Sequence, residues 1–219
     1  MCGRFSMSEE AEAIAERFHV QLPEVPIRPT YNAAPGQELL TIVAADPSVI
    51  TLSRWGFLPA WAAGRKGMKP MINARAETVA TTPFFRNAFK QQRCLVLADG
   101  FYEWQKTKEG KLPYRITLKS EGPFAFAGIW STIPTAAGEE EPTFAIITTT
   151  PNELMAPIHD RMPVMLHARD EEDWLNPQLS LQDAQALLAP FPAECMTAYQ
   201  VSPKINSPAN NTPEVMEPV

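Results

Sequence analysis

Four residues have side chains suited to chemistry and sit in short, distinctive surroundings: Cys2 in Met1-Cys2-Gly3-Arg4-Phe5, Asn73 in Met71–Thr78, Glu103 in Phe101-Tyr102-Glu103-Trp104, and His159 in Pro157–Pro163. Residue 2 is small, so an aminopeptidase should remove Met1 and leave Cys2 with a free α-amine beside its own thiol. Such a 1,2-aminothiol takes up an aldehyde. The amine forms a Schiff base, and the thiol closes on the imine carbon to give a thiazolidine. The thiolate can instead attack an amide with the amine as base. With an α-amine titrating near ~8 and a thiol near ~8.5, a usable minority of each is deprotonated at neutral pH. Gly3 lets backbone approach closely, and Arg4, two residues from the nucleophile, suits an anionic substrate.

Glu103 is a lone acid among three aromatics. It reads either as an outward-facing edge residue or, as we favour, as a carboxyl whose pKa burial has raised into the range of acid–base work. His159 lies between an apolar residue and a charged pair in a Pro-bounded turn, so it suits proton transfer. A structural histidine is the commoner use of such a residue. Trp55 and Trp61 flank Gly56-Phe57-Leu58-Pro59-Ala60. Trp55 is expected in the core, whereas Trp61 reads equally as core or as a surface for stacking.

The elements that must position these residues follow from pattern. Ser8 is expected to cap a helix whose apolar face is Ala11, Ile14, Ala15 and Phe18. Residues 22–36 hold four prolines and read as an ordered loop. Residues 38–45 and 49–55 read as a hairpin turning at Asp46-Pro47-Ser48, and 62–70 as a basic loop. Residues 71–78 show no clean period. Thr82-Pro83 should open a short helix containing Phe85 and Phe89. Strands are expected at 93–98, 101–104, 113–118, 124–131, 143–149 and 197–201, with Asp99-Gly100 a turn and 135–142 a solvated acidic loop. Short helices are expected over 151–156, from Asp170 through Trp174, and from Ser180 through Leu188. Strands outnumber helices and come in runs, so the fold class is α+β, a single domain over residues 1–219. It has a curved, mostly antiparallel sheet with peripheral short helices. The Pro- and Asn-rich tail, 203–219, is expected to pack back on the body.

Composition narrows the function. The 219 residues include 22 prolines, and the net charge is −6. That balance argues against indiscriminate coating of nucleic acid but allows a local basic groove. Three cysteines (Cys2, Cys94, Cys195) suggest neither a disulfide framework nor a zinc site, and Cys94, in an apolar run, reads as buried filler. The histidines have no metal spacing, and the phosphate-loop, dinucleotide, His-Glu-x-x-His and Gly-x-Ser-x-Gly signatures do not occur. No metal or cofactor is expected. With no apolar span or signal peptide in the sequence, a cytoplasmic protein is expected.

Together these stretches resemble the SRAP family, the SOS response-associated peptidases or abasic-site processing proteins. The matching motifs are Met1–Phe5, Tyr31-Asn32-Ala33-Ala34-Pro35-Gly36, Trp55-Gly56-Phe57 through Trp61, Asn73–Thr78, Ala98–Trp104, His159-Asp160-Arg161-Met162-Pro163, and Val201-Ser202-Pro203 with Asn206. The resemblance implies the SRAP fold, a pseudo-barrel. It also implies a monomer that binds single-stranded DNA and crosslinks covalently to abasic sites in the DNA damage response, nucleoid-associated when bound. Cys2 would be the nucleophile and Asn73 would hold the terminal amine. Glu103 would move protons, and His159 would assist imine formation, its reversal and strand cleavage by β-elimination. Arg4, Arg75 and Arg161 would grip phosphates, and Trp61 and Trp104 would stack on bases. A thiol peptidase activity, chiefly self-removal of Met1, is also implied. Between Glu77 and Phe89 the family pattern is loose, which leaves Arg86 unassigned.

Two other readings differ in class. Class II glutamine amidotransferases also begin Met-Cys-Gly, so an N-terminal-nucleophile amidohydrolase or peptidase is one alternative; glutamine hydrolysis would favour it. A non-covalent reader of modified or single-stranded DNA is the other, favoured if Cys2→Ala protects abasic DNA as well as the parent does.

Overall fold

Between residues 38 and 149 the chain is mostly strand, because runs of β-branched, aromatic and other apolar residues recur in it with Gly or Pro between them. The computed structural model describes residues 2–135 and 137–219. Its strands are β1 (Phe5–Met7), β2 (Thr30–Ala33), β3 (Glu38–Val43), β4 (Asp46–Trp55), β5 (Asn73–Arg75), β6 (Arg93–Ala98), β7 (Gly100–Thr107), β8 (Gly110–Leu118), β9 (Phe124–Pro134), β10 (Glu140–Thr149), β11 (Met162–Pro163) and β12 (Met196–Gln200). The α-helices are α1 (Ala11–Phe18), α2 (Arg86–Gln91), α3 (Glu171–Leu175) and α4 (Leu181–Ala186).

Five strands close a ring: β10 pairs with β4, β4 with β3, β3 with β6, β6 with β9, and β9 with β10. A ring of five cannot alternate direction all the way round. One parallel pairing is forced, and it falls between β4 and β10. Closure removes the open edges that invite aggregation. β5 and β11 add to β10. A second, wholly antiparallel sheet runs β12-β8-β7-β1-β2. The expected α+β class, with a curved and mostly antiparallel pseudo-barrel, is what the chain adopts.

Strand β6 is buried along its whole length because both of its faces are covered. Side chains alternate across a strand. Thus Leu95 and Leu97 join one core cluster while Cys94, Val96 and Ala98 join another. Ala145 and Ile147 divide from Phe144 and Ile146 in the same way. The second cluster is where the two sheets meet: Phe5 of β1 packs 5.1 Å from Trp55 and 5.9 Å from Phe126, centroid to centroid. Trp55 is buried as expected, and so is Cys94. Arg93 is 1% exposed. It donates to the carbonyls of Phe89, Lys90 and Trp174 at 3.0, 3.2 and 2.7 Å, and to that of Asn176, satisfying carbonyls left over at the ends of α2 and α3.

Several local expectations are corrected. Ser8 does not cap α1, whose N-cap is Glu10. Instead, Ser8 gives its backbone N–H and its hydroxyl to Asp99 Oδ2 at 2.5 and 2.6 Å. The hairpin turns at Ala44-Ala45, since Val43 pairs with Asp46. Pro47 is tolerated because it lies at the strand's start. The 22–36 loop contains β2. Residues 151–156 form turns rather than a helix, with Asn152 Oδ1 accepting from Met155 N at 2.9 Å. α2 starts at Arg86, after turns through Thr82-Pro83. Strand β9 runs on to Pro134, up to the expected acidic loop, and β10 takes the loop's last three residues from Glu140; Ala136 within the loop lies outside the described residues. Ser180 caps α4 as expected, its Oγ accepting from Asp183 N at 3.1 Å. The tail does pack back: Ile205 and Val215 are buried against Tyr102 and Val201.

Candidate active site

The site lies on the seam between the two sheets. β1 runs antiparallel to β7, with Phe5 opposite Phe101 and Ser6 opposite Gly100, and Tyr102 N donates to Arg4 O at 3.0 Å. Carried back, this register sets Cys2-Gly3 beside Glu103. Asn73 arrives from the other side on β5, opposite Ile146, and its Nδ2 donates to Cys2 O at 2.9 Å. His159 precedes β11 in a tight turn, where its backbone N–H reaches Met155 O at 2.9 Å. Its Nε2 stands 3.8 Å from Glu103 Oε2. All four residues singled out for chemistry are therefore brought together.

Their environment sets their protonation. Cys2 is fully buried and Glu103 is 2% exposed. Burial, reinforced by the Glu103 carboxylate, pushes the Cys2 thiol far above its ordinary range. Burial likewise raises Glu103 to about 7, where a group gives and takes protons with equal ease. Burial lowers His159 below the usual imidazole value, which favours its neutral ring. His159 Nδ1 accepts the Arg161 backbone N–H at 3.0 Å, which places the ring proton on Nε2, facing Glu103. Asp160 Oδ1 lies 2.9 Å from the same Nδ1. That carboxylate faces solvent, and it becomes an ion-pair partner only when the ring is protonated. Asn73 Oδ1 is buried with no hydrogen-bond partner among the described residues, so an acceptor stands spare next to Cys2. Met1, on whose removal the aminothiol chemistry turns, lies outside the described residues.

The basic and aromatic candidates divide. Arg4 Nη1 donates to Asn32 Oδ1 at 2.7 Å and to Ile205 O at 2.9 Å, with its guanidinium 6.0 Å from the Trp104 ring. Trp104 Nε1 in turn donates to Asn206 Oδ1 at 2.7 Å. Arg75 is exposed, two residues along β5 from Asn73. Arg161 forms a two-pronged pair with Glu77, at 2.5 and 2.9 Å, and donates to Thr148 O at 2.5 Å. Trp61 is 43% exposed, edge-on to Phe84 and under the Arg65 guanidinium. It is thus no core residue. Arg86 is exposed at the start of α2.

A cleft of about 410 Å³ opens on the site, lined by Glu103, Trp104, Lys106, Lys111, His159 and Asn206. Sequence reasoning missed the two lysines; the available signal was Lys106 standing two residues beyond Trp104 on the strand that bears Glu103. It also gave no role to Asn32. Asn32 Nδ2 donates to the carbonyls of Ile205, Ser207 and Asn210 at 3.3, 2.9 and 2.8 Å, latching the tail that supplies Asn206. Among the described residues there is no cluster of metal-binding side chains and no helix long and apolar enough to cross a membrane.

Comparison with known proteins adds to this geometry. The profile of the SOS response associated peptidase (SRAP) family matches residues 1–208. The chain is 48% identical over 223 residues to the abasic site processing protein YoqW of Bacillus subtilis, covering 99% of each chain. It is 32% identical over 228 residues to the abasic site processing protein YedK of Escherichia coli, covering 100% of each. A crystal structure of a protein from Bacteroides thetaiotaomicron superposes with a TM-score of 0.90 at 32% identity, covering 100% of each chain.

Proposed function

The chain belongs to the SRAP family, and on that premise we propose that it processes abasic sites in single-stranded DNA by covalent capture through Cys2. The reading draws on the relatives named for abasic site processing. The observation that carries it is Glu103, a buried carboxyl poised at about 7 beside Cys2 and 3.8 Å from His159 Nε2.

The chemistry follows from the protonation states. With Met1 removed, the Cys2 amine adds to the aldehyde of the ring-opened deoxyribose. Loss of one water gives the imine, and His159 with Glu103 supplies the proton that the departing oxygen needs. Sγ then bonds to the imine carbon. Because burial keeps the thiol protonated, its proton must leave as the bond forms. Glu103 takes that proton, and the imine nitrogen ends protonated as the ring amine. The net change is loss of a single water. Asn73 Oδ1, spare and buried, accepts from the terminal amine and fixes its lone pair. If the imine instead loses a proton from the sugar carbon next to it, the 3′ phosphate departs. This is the lyase branch, with His159 as the base. Peptidase activity would be confined to removal of Met1.

Arg75, Arg4 and Arg161 would meet phosphates, and the exposed face of Trp61 and the edge of Trp104 would meet bases. We read residues 1–219 as one SRAP domain acting as a monomer, without a cofactor.

The test is a denaturing gel. Met1-processed protein is mixed with single-stranded DNA holding one abasic site, with Cys2→Ala beside it. A shifted band that survives heating and needs both Cys2 and the lesion is expected. No band from protein shown by mass to lack Met1 would overturn the reading and turn attention to amide substrates.

A further inference from the structure

The β7–β8 hairpin contains a cation pair that forms no salt bridge among the described residues. Lys106 and Lys111 lie directly opposite each other across the hairpin, joined through Thr107-Lys108-Glu109-Gly110. Side chains at such a pair share one face, with Cβ atoms about 5 Å apart, and like charges there destabilise a sheet. Both lysines are exposed, and neither forms an ion pair among the described residues. Both line the same cleft as Glu103 and His159. Lys106 is close enough for its charge to contribute to the lowering of His159. The chain as a whole is acidic, at −6.

Two of the arginines near the site are already engaged, while Arg75 lies exposed on β5. Arg161 is bound by the Glu77 carboxylate and Thr148 O, and Arg4 by Asn32 and Ile205 O. The lysines are the cations of this cleft that have charge to spare. We propose that Lys106 and Lys111 form a phosphate subsite that grips one backbone phosphate of the DNA strand beside the captured abasic sugar. This rests on the abasic-DNA reading and adds to it a site that the arginines do not provide. Ammonium groups on flexible stems suit a phosphodiester approached as a point charge. Its arrival relieves the repulsion between the two lysines.

The test uses equilibrium binding of abasic single-stranded DNA to the Cys2→Ala protein, in which no bond forms, across a range of salt concentrations. Adding Lys106→Gln and Lys111→Gln should reduce the slope of log K against log salt by about 0.7, the contribution of one single-strand phosphate. Lys106→Arg with Lys111→Arg should restore it. In protein with Cys2 intact, the Gln pair should slow crosslinking to abasic DNA, and the deficit should vanish on 2-deoxyribose, an aldehyde without phosphate. A deficit that persists on 2-deoxyribose would mean that the lysines act through His159 instead, and would overturn the subsite. So would an unchanged salt slope alongside normal crosslinking by the parent. If the parent neither binds nor crosslinks abasic DNA, the functional reading itself falls, and the subsite falls with it.

Discussion

A carboxyl that is 2% exposed and raised by burial to about 7 weakens the fold, in addition to the part proposed for it in the reaction. Unfolded, the group ionises near 4.5; folded, it holds its proton until about 7. Below 4.5 both states are protonated and nothing is lost. Between the two values only the unfolded state ionises, so stability falls as pH rises, and above 7 the loss is complete. Glu103→Gln removes this penalty. The variant should therefore gain stability over the parent as pH goes from 5 to 8, on the order of 3 kcal/mol at most, read by urea unfolding at each pH. The same change should slow single-turnover crosslinking by roughly 10²–10⁴-fold and abolish the rise in rate as pH passes through 7. A variant no more stable at pH 8 than at pH 5, relative to the parent, would mean that Glu103 is not held protonated. Cys2, Glu103 and His159 were legible in the sequence because their chemistry stands out against apolar or Pro-bounded surroundings. The engagement of Arg161 was not legible, because its partner Glu77 lies 84 residues away and only the fold brings them together.

At the scale of elements, the strand leading from Cys2 is held by a buried polar knot. Asp99 Oδ1 accepts from Ser6 Oγ at 2.5 Å and from Arg115 Nη2 at 3.1 Å, while Oδ2 takes both groups of Ser8. Gly100 makes room for it: a Cβ there would stand 2.8 Å from Arg115 Nη2. Asp99→Ala would strand a largely buried guanidinium and three donors, costing about 3–5 kcal/mol by chemical denaturation. It should also slow crosslinking, because β1 follows directly on Cys2, the proposed nucleophile. Gly100→Ala should fall between that variant and the parent. Loss of less than about 1 kcal/mol in Asp99→Ala would show that β1 is held by its ladder alone. Asp99-Gly100 reads locally as a turn, and turn chemistry is what a sequence displays best. Its use as a knot depends on Arg115 arriving from β8. For the same reason Asp46-Pro47-Ser48 looked like the hairpin's turn: the residues favour one, but pairing of Val43 with Asp46 moved the turn to two alanines.

For the whole molecule, the strand-rich α+β class could be read from consecutive apolar runs. The closed ring was implied only by the family resemblance, since local pattern cannot show a parallel β4–β10 contact between segments far apart in the sequence. Charge is likewise a property of the whole that hides its distribution: −6 overall, with exposed Arg75 and the lysine pair near the site. Arg75→Ala should weaken abasic-DNA binding and flatten its salt dependence by about 0.7 in slope; an unaltered slope would remove Arg75 from the phosphate contacts. The central claim, that amine and thiol of Cys2 both bond to one sugar carbon, is tested most directly by mass spectrometry of the crosslinked N-terminal peptide after the DNA is digested away. The account predicts a peptide beginning at Cys2, heavier by the abasic residue less one water, with a thiol that iodoacetamide can no longer alkylate. An adduct on another residue, or on Cys2 with the thiol still open to alkylation, would contradict it.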